Sequence, residues 1–371
     1  MARVIIAGTF DPAFARNKKL VRLLELGGHD FEICQVDAWG GKRYEIPNQR
    51  KLAVAANALA AYPKLVWRFV RVPRGDVVIV GYPGWFDMIV LALPARLRRM
   101  PVLFDVFISL YDTVVSDRKL ASSTSLIGRA CLLVDKWSLK LARRVLADTP
   151  SHADFFARLA DIPSDRIGVV WLGAQDDVFG PHPEVTPTDR RVVFHGTFIA
   201  LQGIETIIRA AKLLESDGIA VRVIGSGQDQ DKVDRLLREL EPANVELTGL
   251  LPLEEIPLQI AEATVCLGIF GESGKAHRVV PNKLYECLAV GRPVVTADTE
   301  GARSAFTTGE VAMVAAEPEA LAAELRRLVA DSAARELLAR EGHCRYVAQY
   351  SEGPLSRLLN TQLAQAISDR P

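Results

Sequence analysis

The densest concentration of chemically useful side chains lies in GIFGESGKAHRVVPNKLYECLAVGRPVVTADTEGAR, residues 268–303 of a 371-residue chain. The apolar run TVCLGIF reads as a strand that delivers the chain into a polar loop holding Glu272, Lys275, His277 and Arg278. Pro281 suits the first turn of a helix, on which Lys283 and Glu286 stand three residues apart on one face, and Gly291 ends it. Three cations near a helix N-terminus, Lys275, Arg278 and Lys283, oppose the helix dipole and call for an anion to neutralise them. A diphosphate meets that need, because backbone amides and basic side chains can converge on it. A carboxylate one turn further on, Glu286, suits a pair of vicinal ribose hydroxyls. The competing reading is a surface ion pair between Lys283 and Glu286, worth a few tenths of a kcal/mol.

Two glycine turns offer weaker chemistry. In AGTFDPAFARNKK, Gly8 ends the first strand, and Asp11 and Arg16 follow before the next helix; this is a ligand loop or simply a tight turn. In VIGSGQDQDK, Gly225 and Gly227 begin a dinucleotide fingerprint and Glu246 supplies an acidic residue downstream. The third glycine is replaced by Gln230, which argues against a nicotinamide enzyme.

The elements that must position these groups form a repeating pattern. RVIIAG (3–8), FEICQVD (31–37), DVVIVGY (76–82), PVLFDVF (101–107) and RVLADT (144–149) are continuous apolar runs, the signature of strands buried on both faces. Helix-period segments alternate with them, the first closing at Gly27 and Gly28. After the Pro-rich stretch 179–191 the pattern resumes with strands at 190–196, 220–227, 244–249, 264–270 and 292–298. The expected architecture is α/β, two doubly wound parallel-sheet domains at 1–183 and 184–349, with a linker at about 179–190. A break near Glu352, Gly353 and Pro354 lets a last helix, about 350–371, return to complete the first domain.

Composition narrows the field. Apolar residues at 49% and charged residues at 24% exclude a disordered or fibrous chain. The longest apolar candidate, WFDMIVLALPARL (85–97), is shorter than the roughly 18–20 residues that span a bilayer. MARVIIAG lacks the features of a secretion signal. Five cysteines (34, 131, 266, 287 and 344) form no CxxC pair and no metal-ligand spacing, so a cytoplasmic protein with reduced packing thiols and no metal is expected. Zero net charge conceals a split: 25 basic against 18 acidic residues in 1–183, and 20 against 27 in 184–371. In the first half, KLVWRFVRVPR (64–74) and RLRRMP (96–101) interleave cations with Trp67 and Phe69. That pattern fits peripheral contact with anionic lipid at the inner membrane face, or basic side chains lying over apolar neighbours. No nucleic-acid recognition module is present, so nucleic acid is not an expected partner.

PNKLYECLAVGRPVVT, with HGTFIALQGIETIIRAAKLL and VIGSGQDQDKV before it, resembles the carboxyl-terminal domain of family 4 glycosyltransferases. FDVFISLYDTVVSDRK and ADTPSHADFF extend a weaker resemblance over the first half. The family implies the GT-B fold, two Rossmann-like domains with an interdomain cleft. It also implies retaining transfer from a nucleotide-sugar substrate, with no bound metal and no cofactor. Glu286 matches the second glutamate of the family's E-x7-E pattern, whereas Arg278 stands where the first belongs. Thr197 and Gln202 occupy the positions of the family's phosphate-binding arginine and lysine. The resemblance therefore implies a relocated cradle of Lys275, Arg278 and Lys283, with Thr197 and Gln202 as neutral donors and Glu272 replacing the absent glutamate. The donor set is completed by Gly8, Gly225 and Gly227. In LYDTVVSDRK, Asp112, Asp117 and Arg118 would orient an acceptor hydroxyl or receive its proton, unless they form only a turn and a surface pair. The acceptor would be a glycan, a lipid-linked precursor or a small molecule. Rival readings are a nucleotide-sugar epimerase of the same fold and a non-catalytic nucleotide-sugar-binding subunit.

Overall fold

The computed structural model describes residues 1–37, 51–117 and 120–368. The chain divides into two compact units, Met1–Trp171 with Leu355–Pro371, and Leu172–Pro354. The stretch expected as a linker falls inside the second unit, where Phe179 is buried.

In the first unit, β1 (Arg3–Gly8), β2 (Asp30–Gln35), β3 (Val77–Val80), β4 (Val102–Asp105), β5 (Arg144–Ala147) and β6 (Ile167–Val169) form one sheet in the order 2-1-3-4-5-6. Every pairing is parallel. β3, β4 and β5 are buried along their whole length, so alternate residues feed two cores. Ile5 and Ala7 face helices Lys51–Arg71, Trp85–Leu97, Leu126–Leu141 and Pro150–Ala160 through Leu65, Phe69, Leu91, Leu139 and Phe156. Val4 and Ile6 face helix Ala15–Leu26 and the carboxyl-terminal helix Glu352–Ser368 through Leu20, Leu23, Leu355 and Leu359. A buried bidentate pair ties the layers: the Arg16 guanidinium donates to Asp105 at 2.8 and 2.9 Å and to the Val170 carbonyl at 2.9 Å. Arg16 is therefore a structural residue and not part of a ligand loop.

The second unit holds β7 (Arg191–His195), β8 (Ala220–Ile224), β9 (Val245–Gly249), β10 (Val265–Leu267), β11 (Val294–Ala297) and β12 (Ala312–Val314). Its order, β9-β8-β7-β10-β11-β12, is the 3-2-1-4-5-6 arrangement of dinucleotide-binding sheets. The chain's direction of growth reverses between β7 and β10, so the loops leaving those two strands part and open a crevice at their carboxyl ends. β6 and β12, three residues each, are the strands that hydrophobic runs do not reveal.

Leu359 is wholly buried between the carboxyl-terminal helix and the first sheet. Leu359→Ala should lower unfolding stability by about 2–5 kcal/mol, read as a lower urea midpoint. A loss below about 1 kcal/mol would mean that the helix does not seal this core.

Candidate active site

The crevice between β7 and β10 is built from three segments. β7 ends in Phe194 and His195, after which Gly196 (φ +150) leads into the 3-10 turn Ala200–Gln202. From β10 the chain passes Phe270, whose N–H donates to the Gln202 carbonyl at 3.0 Å. Gly203 (φ +65) lies so close to the Phe270 carbonyl that a Cβ would collide with it. The third segment, helix Asn282–Val290, is N-capped by Pro281 and closes at Gly291 (φ +84). Pro281 thus sits one position ahead of the helix rather than within its first turn.

Lys283 and Glu286 do not form the surface pair that their spacing allows. Lys283 is 5% exposed. Its ammonium sits 3.6 Å from the centroid of the Phe194 ring and donates to the Gln202 side-chain oxygen. A Cβ on Gly196 would stand 2.6 Å from Lys283 Nζ, so this glycine leaves the room that the amine occupies. Burial pushes the Lys283 ammonium down to about 7, offset in part by Cys287 and Glu286. Glu286 Oε2 lies 2.7 Å from His195 Nε2, across the point where strand order reverses. The buried His195 Nδ1 has no partner among the described residues. Phe194 and His195 are site residues that sequence reasoning missed, although both stand at the end of the strand that leads into HGTFIALQG.

Lys275 and Arg278 lie on a short helix of their own, Gly274–Arg278, where a polar loop was expected. Ser273 caps it by accepting from the Ala276 N–H at 3.2 Å, and Ala276 packs with Leu201 and Ile269. The helix carrying these two cations and the helix carrying Lys283 thus approach the same turn, Ala200–Gln202. Gln202 is buried against Lys283 and Thr197 is exposed. Glu272 is exposed and lines a cavity of about 460 Å³ at the first turns of helices Ile204–Leu213, Gln230–Leu240 and Pro318–Ala330. Neither Lys283 nor Glu286 borders that cavity. Gly225 and Gly227 admit the Gly196–Phe198 segment: a Cβ on either would strike its backbone. Glu246 pairs with Arg222 at 2.9 Å.

In the first unit, Gly8 (φ +149) packs against Asp87, which accepts from the Thr9 N–H at 2.8 Å and the Thr9 hydroxyl at 2.9 Å. Asp112 is buried at the start of a π-helical turn, Asp112–Asp117, its N–H donating to Ser109 Oγ at 2.9 Å. Ser109 Oγ in turn donates to Asp135 at 2.6 Å, and Asp135 also accepts from the N–H groups of Leu110 and Tyr111. Burial pushes Asp135 up to about 6. The Asp117 side chain and Arg118 lie outside the described residues.

The chain is similar to several known proteins. Residues 189–331 match the family described as glycosyl transferases group 1. The chain is 26% identical over 251 residues to the probable glycosyltransferase WbjE of Pseudomonas aeruginosa, covering 62% of this chain and 60% of that protein. It is 27% identical over 169 residues to the lipopolysaccharide core biosynthesis glycosyltransferase LpsE of Rhizobium meliloti, covering 45% and 47%. Anabaena HepE, solved in complex with UDP and glucose, superposes with a TM-score of 0.70 at 14% identity over 98% of this chain and all of that one. Sucrose-phosphate synthase of Thermosynechococcus elongatus superposes with a TM-score of 0.76 at 16% identity over 99% of each chain. The carboxyl-terminal part of the chain is thus similar to the glycosyl transferases group 1 family, and the fold of the chain is the GT-B fold. The matches span about half to three-fifths of these curated relatives' own length.

The buried amine gives a stability test. With a folded value near 7 against an ordinary 10.5, Lys283 holds a proton less tightly folded than unfolded. Its burial cost is fully present below about pH 7 and fades as pH rises toward 10.5, with a slope of up to about 1.4 kcal/mol per pH unit. Wild-type stability measured relative to Lys283→Met should therefore rise between pH 7 and 10. A flat difference would show that the ammonium is not desolvated.

Proposed function

We propose that the chain moves a sugar from a nucleoside diphosphate donor to a glycan, lipid-linked or small-molecule acceptor, with retention and without a metal ion. The observation that carries this reading is the juxtaposition of a buried lysine with a histidine-held carboxylate at the strand-order reversal of the second sheet. A leaving diphosphate supplies the counter-charge that Lys283 lacks at rest, and Lys275 and Arg278 add charge from the neighbouring short helix. His195 occupies one oxygen of Glu286, and no described residue donates to the other, which suits a ribose hydroxyl. Thr197 and Gln202 serve the phosphates as neutral donors. In the first unit, Gly8 would meet the donor and the braced Asp112 loop the acceptor, and the donor phosphate itself takes the acceptor proton. Positioning and charge stabilisation then supply most of the acceleration. The chain would work in the cytoplasm, meeting a lipid-linked acceptor at the inner membrane face.

Calorimetry with a panel of nucleoside diphosphate sugars, beginning with UDP-glucose because HepE is solved with UDP-glucose, tests the cradle. Lys283→Met should weaken donor binding about 10- to 150-fold, the value of a hydrogen bond to a charged group. If Lys275→Ala and Arg278→Ala both leave donor affinity unchanged, the relocated cradle is wrong. An epimerised sugar produced without acceptor would favour an epimerase, and binding without turnover a carrier subunit.

Binding should also take up a proton. The phosphates favour the ammonium form of Lys283, so donor affinity should fall as pH rises from 7 toward 9. Binding heats in buffers of different ionisation enthalpy should reveal the uptake, and Lys283→Arg, permanently charged, should abolish it. Equal heats for wild type and Lys283→Arg would place the titrating group elsewhere.

A further inference from the structure

The outer helical layer of the first unit is apolar where water would call for polar side chains. Helix Trp85–Leu97 carries only two charged residues, Asp87 and Arg96, and Asp87 is buried. Its outward positions Phe86, Leu93 and Leu97 recur at helical spacing, with Ile89 and Val90 half-buried between them. Helix Leu126–Leu141 does the same: Leu126 (85% exposed), Leu133, Trp137 (61%) and Leu141 form a stripe along its solvent side. Helix Lys51–Arg71 adds exposed Trp67 and Val70, with the Arg71 guanidinium 3.7 Å over the Trp67 ring. The three helices lie side by side on one face of the sheet. Helices this apolar on their outer side are ordinarily covered.

The charge on this layer has one sign. The only acidic residues of the three helices are Asp87 and Asp135, both buried, and no glutamate occurs between Glu45 and Glu184. Exposed cations flank the apolar stripes on every helix, among them Lys64, Arg71, Arg96, Arg129 and Lys140. A second copy of the chain docked through this face across a two-fold axis would set cations against cations. An anionic bilayer accepts both features at once: the aromatic and aliphatic side chains enter the headgroup boundary, and the lysines and arginines meet lipid phosphate.

From this geometry we infer that the outer face of helices Lys51–Arg71, Trp85–Leu97 and Leu126–Leu141 docks on an anionic lipid surface. The inference stands on this layer alone and does not depend on sugar transfer. The full chain should co-sediment with vesicles of phosphatidylcholine mixed with phosphatidylglycerol, and far less with phosphatidylcholine alone. Added salt should weaken the binding, and tryptophan emission should shift to the blue. Because the altered residues are exposed, Leu93→Ser/Leu97→Ser/Trp137→Ser and Arg71→Glu/Lys140→Glu should keep the wild-type melting curve while losing at least about tenfold in vesicle partitioning. Three outcomes would overturn the assignment. The first is wild type that does not sediment above the vesicle-free control. The second is binding of both variants at the wild-type level. The third is a wild-type dimer in sedimentation velocity that the variants dissolve, with no lipid binding, which would give the face to a second copy.

Discussion

An ammonium group held inside a protein is expensive, and the second unit is arranged around one. Among the described residues Lys283 has no carboxylate in ion-pair contact to compensate its burial; its neighbours are an aromatic face and an amide oxygen. Such an arrangement stabilises a charge only weakly, which is why the amine loses its grip on the proton. The surrounding backbone is committed to making the space. Gly196 yields room to the amine, Gly225 yields room to the Gly196 carbonyl, and Gly203 lets the turn holding Gln202 lie against Phe270. All three have positive φ, which glycine adopts without the steric penalty that a side chain would bring. The cost of burying the amine is intelligible where an anion arrives to convert a poorly solvated amine into a paired ammonium.

Topology explains why this happens where it does. In a 3-2-1-4-5-6 sheet the connections leaving β7 and β10 run to opposite sides, and a gap opens between their loops. His195 ends β7, whereas Lys283 and Glu286 lie on the second helix after β10, Asn282–Val290. The contacts His195–Glu286 and Gln202–Lys283 bridge the gap from its two sides. Where the family that the sequence resembles has an arginine, a lysine and a first glutamate, this chain has Thr197, Gln202 and Arg278. Under the proposed function a cation near the phosphates is a chemical requirement, but the element that carries it is free to change so long as it reaches the same crevice.

The parallel strands were legible because burial on both faces leaves continuous apolar runs, and ten of them were read to within a few residues of their observed limits. β6 and β12 were not: both are three-residue edge strands, whereas the equally short β10 lies centrally within the apolar run TVCLGIF. The end of the first unit was placed too late for a related reason: the Pro-rich stretch reads as a linker, yet Phe179 is buried in the second unit. At the site, Lys283 and Glu286 were visible through charge at a helix start. His195 was not, since a single histidine after VVF carries no spacing that names its partner 91 residues away. Arg16 misleads in the opposite sense. Beside a glycine loop it suggests ligand chemistry, but only the fold reveals Asp105 beneath it.

Charge separates the units more sharply than the halves of the sequence do. The first unit has 27 basic against 17 acidic residues, the second 18 against 28. Under the proposed function, an anionic donor approaching the second unit meets a repulsive net charge that salt screens beyond about 8–10 Å. Attraction must come from cations acting at contact distance, where low dielectric and fixed geometry make each worth more. Lys283 beneath its aromatic lid, with Lys275 and Arg278 on the adjoining short helix, meets that requirement in a way that scattered surface lysines would not. In the first unit the excess positive charge lies on an outer layer rather than in a pocket, beside exposed leucines and tryptophans. In the two proposed roles the same side-chain type does opposite work: concentrated and desolvated to hold one small anion, or spread over a broad face to meet an extended one.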